Sequence, residues 1–167
     1  VGSDVSLEPN DATFAAWVRV DDLGESRAIV SRRADEGVFN TAYNVSIQTD
    51  GTLRLTKQDG SQTDNSTTSR VIPTSTWVHA VVTVKGTRTR LYINGAEEIN
   101  TSAFSGLNYG GATNHNTWIG AGETTPGSGV SENEFNGLLD DVRIYNRALS
   151  HSEVQSLANG NQHTGSD

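Results

Sequence analysis

Apolar residues in this chain recur mostly at every second position, the period of a half-buried strand rather than of a helix. Between Thr13 and Val20, the residues Phe14, Ala16, Val18 and Val20 share one face. Ala28 to Ser31 predicts a short second strand, and Tyr43–Ile47 and Thr52–Leu55 predict two more. These last two flank Asp50-Gly51, a pair suited to the positive φ angles of a tight hairpin. From Trp77 to Val84 the alternation returns, with Val78, Ala80, Val82 and Val84 together. Lys85-Gly86-Thr87 turns the chain into Arg90–Ile93, and Asn94-Gly95 turns it again. Thr117–Gly120 and Leu138–Tyr145 complete the predicted strands.

One helix is predicted. Ser150-His151-Ser152-Glu153 is a capping box, in which Ser150 caps the first turn and Glu153 reaches back. Val154, Leu157 and Ala158 form its apolar side, and Asn159-Gly160 ends it. No internal repeat is visible. Many short strands, close hairpin turns and one terminal helix predict an all-β antiparallel two-sheet sandwich over residues 1–159, with a polar tail over 160–167.

Composition narrows the function classes. The chain's 167 residues fit one domain, and 17 glycines suit strands joined by tight turns. The formal net charge of −8 excludes a nucleic-acid binder, which needs a basic stripe to displace phosphate counterions. The same charge is repelled by an anionic membrane surface, and no apolar run reaches the roughly 18 residues that membrane insertion requires. Acidity suits neutral sugars, bound cations or plain solubility. With no cysteine, no disulfide staples the fold. Val1-Gly2-Ser3-Asp4 is polar and carries no signal peptide, so the sequence reads as a domain of a longer chain. The Asn-x-Ser/Thr sequons at Asn44, Asn65 and Asn100 carry little weight in a chain this rich in Asn and Thr.

Four segments occur together in a characteristic order: Ala16-Trp17-Val18, Trp77–Thr83, Arg90–Gly95 and Phe135–Ser150. In order and spacing they resemble the laminin-G-like (concanavalin A-like) jelly rolls of microbial surface proteins, relatives of the pentraxins and legume-type lectins. The resemblance spans roughly residues 6 to 158 and implies a jelly-roll topology. It also implies a secreted or cell-surface location. Family members usually carry a further strand and an acidic Asp-Gly-rich loop ahead of the stretch seen here as Ser6-Leu7-Glu8-Pro9. This sequence starts almost at that stretch: either that strand has been cut off or another segment takes its place, which leaves open a family metal site using that loop.

Asp140 stands out because strict alternation puts it on the same face as Val142 and Ile144, whose side chains should enter the core. A carboxylate there needs backbone N–H donors or a cation such as Ca²⁺, which takes several oxygen ligands. Asp141 faces the other way, beside Arg143. The long segment 122–134 is a second candidate, since loops of that length are usually functional or mobile. The pentraxin resemblance implies acidic Ca²⁺ ligands there, at Glu123, Glu132 and Glu134.

Sugar binding calls for an aromatic ring to stack on C–H faces and for planar amides to reach hydroxyls. Trp17, Trp77 and Trp118 read first as packing residues. Better platforms are Tyr109, Asn114 and His115 in a Gly/Asn-rich stretch, and Phe39 with Tyr43 around Asn40. Glycosidase relatives place two spaced carboxylates on one strand face; here Glu97 and Glu98 are adjacent, hence on opposite faces, and no catalytic residue is assigned. The expected function is a non-catalytic carbohydrate-binding or adhesive module of a larger exported protein, with glycan as partner and Ca²⁺ as optional cofactor. The alternative is a structural or protein-binding spacer without a sugar site. Oligomeric state is not legible.

Overall fold

The computed structural model describes residues 8–34, 41–58, 62–103, 105–109, 115–123 and 131–160. Its strands are β1 (Ala12–Val20), β2 (Arg27–Arg33), β3 (Thr41–Ile47), β4 (Thr52–Gln58), β5 (Thr63–Val71) and β6 (Val78–Lys85). They continue as β7 (Arg88–Ile93), β8 (Ala96–Ser102), β9 (Thr117–Ile119), β10 (Gly122–Glu123), β11 (Ser131–Glu132) and β12 (Gly137–Tyr145), followed by helix α1 (His151–Gly160). Two five-stranded antiparallel sheets form, in the orders β12-β1-β6-β7-β8 and β5-β4-β3-β2-β9, and β10 pairs with β11 as a small ribbon. This is the expected jelly-roll sandwich.

The facing sheets bury the alternating residues the pattern predicted. Phe14, Ala16, Val18 and Val20 meet Val78, Ala80, Val82 and Val84 in one cluster with Tyr43, Val45, Ile47, Leu53 and Leu55. Four strands were not predicted: the two-residue β10 and β11, which fall in the segment expected as a loop, and the longer β5 and β8. Of these, β5 and β8 are the two that belong to the main sheets. Both are sheet edges, and an edge strand buries little apolar surface, so it carries little hydrophobic alternation to read. The turns follow their residues: Asn94 and Gly95 both take positive φ, 51° and 78°, as a two-residue hairpin demands.

The capping box is formed. Glu153 N donates to Ser150 Oγ at 3.3 Å, and Ser150 N donates back to Glu153 Oε2 at 2.8 Å. Val154 of α1 then packs with Leu149 on Ala15, Val81 and Tyr92, covering part of the outer face of the first sheet.

Strict alternation fails in β12. Ala15 pairs with Arg143, yet Trp17 pairs with Asp140, so two residues of β12, Asp141 and Val142, oppose the single Ala16 of β1. Asp141 absorbs the extra residue with φ of 49°. The bulge reverses the parity. Leu139, Val142 and Ile144 pack on the core, whereas Asp140 is exposed and accepts a bond from Asp141 N at 2.7 Å. The expectation of a core-facing Asp140 is thereby corrected. Asp141 does lie beside Arg143, whose Nε donates to it at 2.7 Å.

Candidate functional site

The residues offered as sugar platforms do not gather on a surface. Tyr43 is fully buried, because alternation along β3 points Tyr43, Val45 and Ile47 inward. Its ring lies 4.4 Å from Phe14 and 6.4 Å from Tyr109, and its hydroxyl is 3.2 Å from Thr117 Oγ1. A ligand cannot reach it, which corrects that expectation. Tyr109 packs against the same core and donates its hydroxyl to Pro9 O at 3.0 Å. Burial pushes both phenols above their usual pKa. Arg32, also buried, lies 6.0 Å from the Tyr109 ring and bonds Thr117 and Glu8, closing a structural polar cluster. His115 is 5 % exposed, and neither ring nitrogen has a hydrogen-bond partner among the described residues. Phe39 and Asn114 lie outside the described residues.

The metal candidates also stay apart. Glu132 is 3.3 Å from the Arg33 guanidinium. Glu134 accepts from Ser131 Oγ at 2.6 Å, while its backbone carbonyl accepts from Arg27 at 3.1 Å. Asp140 sits on the other sheet, and the side chain of Glu123 lies outside the described residues. Among the described residues no three His, Asp or Glu side chains are grouped to hold an ion. Calcium takes six to eight oxygens, and the described candidates do not bring such a set together.

The same parity that buries Tyr43 sends Asn44 to the outer face of the second sheet. Cross-strand register lines up Trp118, Ser31, Asn44, Thr56 and Asn65 as one rung across five strands. Ser46, Arg54 and Thr67 form the next rung over three of them. Strand geometry spaces such groups about 5 Å apart across the sheet and about 7 Å apart along it. Only part of their bonding capacity is used within the chain. Thr56 Oγ1 donates to Asn65 Oδ1 at 2.7 Å, Arg54 Nε to Thr67 Oγ1 at 3.1 Å, and Ser31 Oγ to Ala121 O at 2.9 Å.

Two groups on this rung are orphaned. Asn44 Oδ1 and Trp118 Nε1 are buried without a hydrogen-bond partner among the described residues, and they flank Ser31 on either side. An unpaired buried polar group costs about 1–3 kcal/mol, so each one calls for an explanation. Asn44 lines a cleft of about 40 Å³ with Ser31, Arg33, Thr41, Gly122 and Glu132, where the β10–β11 ribbon borders β2. That volume accommodates one water or one ligand hydroxyl. The face is thus a mostly uncharged hydrogen-bonding platform, with Arg54 the one cation on these two rungs, an indole at one end and an ion pair on its rim.

Sequence reasoning missed Ser31, Asn44, Thr56 and Trp118. The signal was present in Tyr43-Asn44-Val45-Ser46-Ile47, where the polar residues of the alternation mark the outer face. Trp17 and Trp77 were expected to pack. Trp17 does, at 6 % exposure, against His79 with ring centroids 5.2 Å apart on the outer face of the first sheet. Burial lowers the pKa of His79 to about 4. Glu97 and Glu98 engage different partners, Arg90 and Arg70, from opposite sides of β8.

Comparison with known proteins agrees with the architecture. The family model described as the concanavalin A-like lectin/glucanases superfamily matches residues 1–155. Domain 4 of AbnA, a GH43 extracellular arabinanase from Geobacillus stearothermophilus solved with arabinotriose, superposes with TM-score 0.69 at 27 % identity, covering 90 % of this chain and 67 % of that one. The CBM40 of a Ruminococcus gnavus IT-sialidase, bound to α2,3-sialyllactose, superposes with TM-score 0.75 at 13 % identity, covering 90 % and 83 %. A heptameric SAP-like pentraxin from Limulus polyphemus gives TM-score 0.69 at 19 % identity, covering 90 % and 70 %. No curated protein sequence matches the chain.

Proposed function

The chain belongs to the concanavalin A-like lectin/glucanases superfamily, and from that premise we propose that it is a non-catalytic carbohydrate-binding module. Its ligand is a neutral oligosaccharide or polysaccharide laid across the outer face of the β5-β4-β3-β2-β9 sheet. One observation carries the reading: the rung Trp118–Ser31–Asn44–Thr56–Asn65, with an unpaired donor and an unpaired acceptor on either side of Ser31. Hydroxyl-rich ligands supply both donors and acceptors, and the indole supplies a surface for C–H faces. An ionic ligand would have to compete with the Arg33–Glu132 pair.

Similar folds solved with arabinotriose and with sialyllactose support a saccharide as the ligand class. Glu132 pairs with Arg33, and Glu97 and Glu98 pair with separate arginines, which supports a non-catalytic reading of these three carboxylates. Calcium has no part in this reading, since the described acidic side chains do not converge. Among the described residues no helix is long and apolar enough to cross a membrane. In this reading the module works outside the cell or on its surface, within a larger exported protein.

A glycan array with and without EDTA tests this. The expected result is binding to neutral glycans that survives chelation. Binding lost on chelation points to a calcium lectin instead, and a folded sample that binds no glycan points to a spacer domain.

A further inference from the structure

A second cleft lies on the opposite sheet, between the β6–β7 hairpin and the start of α1. It encloses about 290 Å³, at the small end of ligand pockets. Three cations line it, Lys85, Arg88 and Arg90, against a single carboxylate, Glu153. That carboxylate is already neutralised by Arg147, which donates to it through both guanidinium nitrogens at 2.7 and 3.0 Å. Such a concentration of positive charge is unexpected on a chain whose net charge is −8.

The pairing makes the charge more conspicuous. Lys85 sits directly opposite Arg88 across the two strands, where like charges are unfavourable. Among the described residues neither forms an ion pair; Arg88 donates only to the neutral Asn100 Oδ1, at 2.7 Å. One strand rung away, Arg90 Nε is buried without a hydrogen-bond acceptor. The nearby Glu97 Oε2 is 3.7 Å from it, an ion pair without a hydrogen bond, so Lys85 and Arg88 are the two cations of the cleft left without a carboxylate among the described residues. Asp11 is occupied at the hairpin turn, where it accepts from Gly86 N at 2.8 Å. Ala148 and Leu149 give the cleft an apolar wall, and Ser150 adds a hydroxyl at its edge.

We propose that this cleft is a second binding site, one for an oxyanion carried on a saccharide, either a uronate carboxylate or a sulfate ester. Planar guanidinium groups match both oxyanions through paired N–H donors, and the Lys85 ammonium adds a point charge. The apolar wall faces the C–H side of the sugar ring that bears the anion. A nucleic acid is disfavoured, since its binding needs a basic track over many phosphates and this cleft is one isolated patch on an acidic chain. That the carrier is a saccharide rests on the function proposed above; that the ligand is an oxyanion does not.

The test is an NMR titration of the whole chain with trigalacturonate, galactose 6-sulfate, uncharged galactotriose and sodium sulfate. One or both charged sugars should shift the amides of residues 83–90 and 148–153, and the Lys85→Gln/Arg88→Gln double variant should weaken that binding at least tenfold. Affinity should also fall as salt rises. The trigalacturonate and galactose 6-sulfate arms separate carboxylate from sulfate ester. The proposal is overturned if neither charged sugar shifts those amides, if the double variant binds as tightly as the parent, or if sodium sulfate at equal concentration gives the same response (an adventitious ion only). Galactotriose reports on the other sheet, so its failure would leave the oxyanion result standing.

Discussion

Replacing Asn44 by valine should stabilise this protein and weaken its ligand binding at the same time. Asn44 Oδ1 is buried with no partner among the described residues, and desolvating such an acceptor costs about 1–3 kcal/mol. Valine removes the acceptor and also suits a strand better than asparagine, on a scale that spans about 1 kcal/mol. Some of this gain is lost to imperfect packing, leaving a net stabilisation of about 1–2 kcal/mol. For a domain of this size each kcal/mol moves Tm by about 2–4 °C, so the melting temperature should rise by about 2–8 °C. Thr56→Val is the control on the same rung: it is isosteric and deletes a satisfied hydroxyl that donates to Asn65 at 2.7 Å, so it should cost about 0.5–1 kcal/mol. Calorimetry gives both melting temperatures, and titration with the neutral glycan found on the array gives both affinities. Affinity should fall at least tenfold for Asn44→Val, a loss of about 1.4 kcal/mol of binding. A lower Tm together with unchanged affinity would refute the reasoning, because Asn44 would then be a structural residue.

Three further outcomes follow from the fold. His79 titrates near pH 4 when folded and near 6.5 when unfolded, so the unfolded chain takes up its proton first. Stability should be complete above pH 6.5 and decline by about 3 kcal/mol as pH falls toward 4, and urea melts of His79→Phe should lack that slope. Glu153 is held near pKa 2 chiefly by Arg147 and also by the Ser150 backbone, so its contribution is present above the ordinary carboxylate range and lost as pH falls toward 2. Thermal melts of Glu153→Gln should show a slightly lower Tm at neutral pH and no further loss over that acidic window. Gly137 has φ of 143°, and a methyl group there would overlap the Arg19 carbonyl oxygen. Gly137→Ala should therefore lose more than about 3 kcal/mol in denaturant titration, and a loss under about 1 kcal/mol would contradict the close approach of β1 and β12.

The sandwich was legible because its central strands alternate cleanly and its turns carry the residues their φ angles require. Val78, Ala80, Val82 and Val84 are all buried, as their spacing demands. What escaped were β5 and β8, whose polar sequences reflect their place at sheet edges, the two-residue ribbon of β10 and β11, too short to show a period, and the parity of β12. Nothing in Leu139-Asp140-Asp141-Val142 announces a bulge; Asp141 tolerates positive φ, but many strand aspartates never adopt it. The candidate site failed to emerge for a simpler reason. Sugar stacking points to aromatic rings, and along β3 that criterion singles out Tyr43 rather than its neighbour Asn44. In a strand of period two, that one-residue step separates the core from the outer face.

A neutral glycan laid across the rung formed by Trp118, Ser31, Asn44, Thr56 and Asn65 changes the surroundings of all five residues. Mapping chemical-shift changes on titration with the array ligand tests it most directly. The account predicts shifts concentrated at the amides of those residues and at the Trp118 indole N–H. Shifts confined to residues 105–116, or to the outer face of the first sheet, would contradict it.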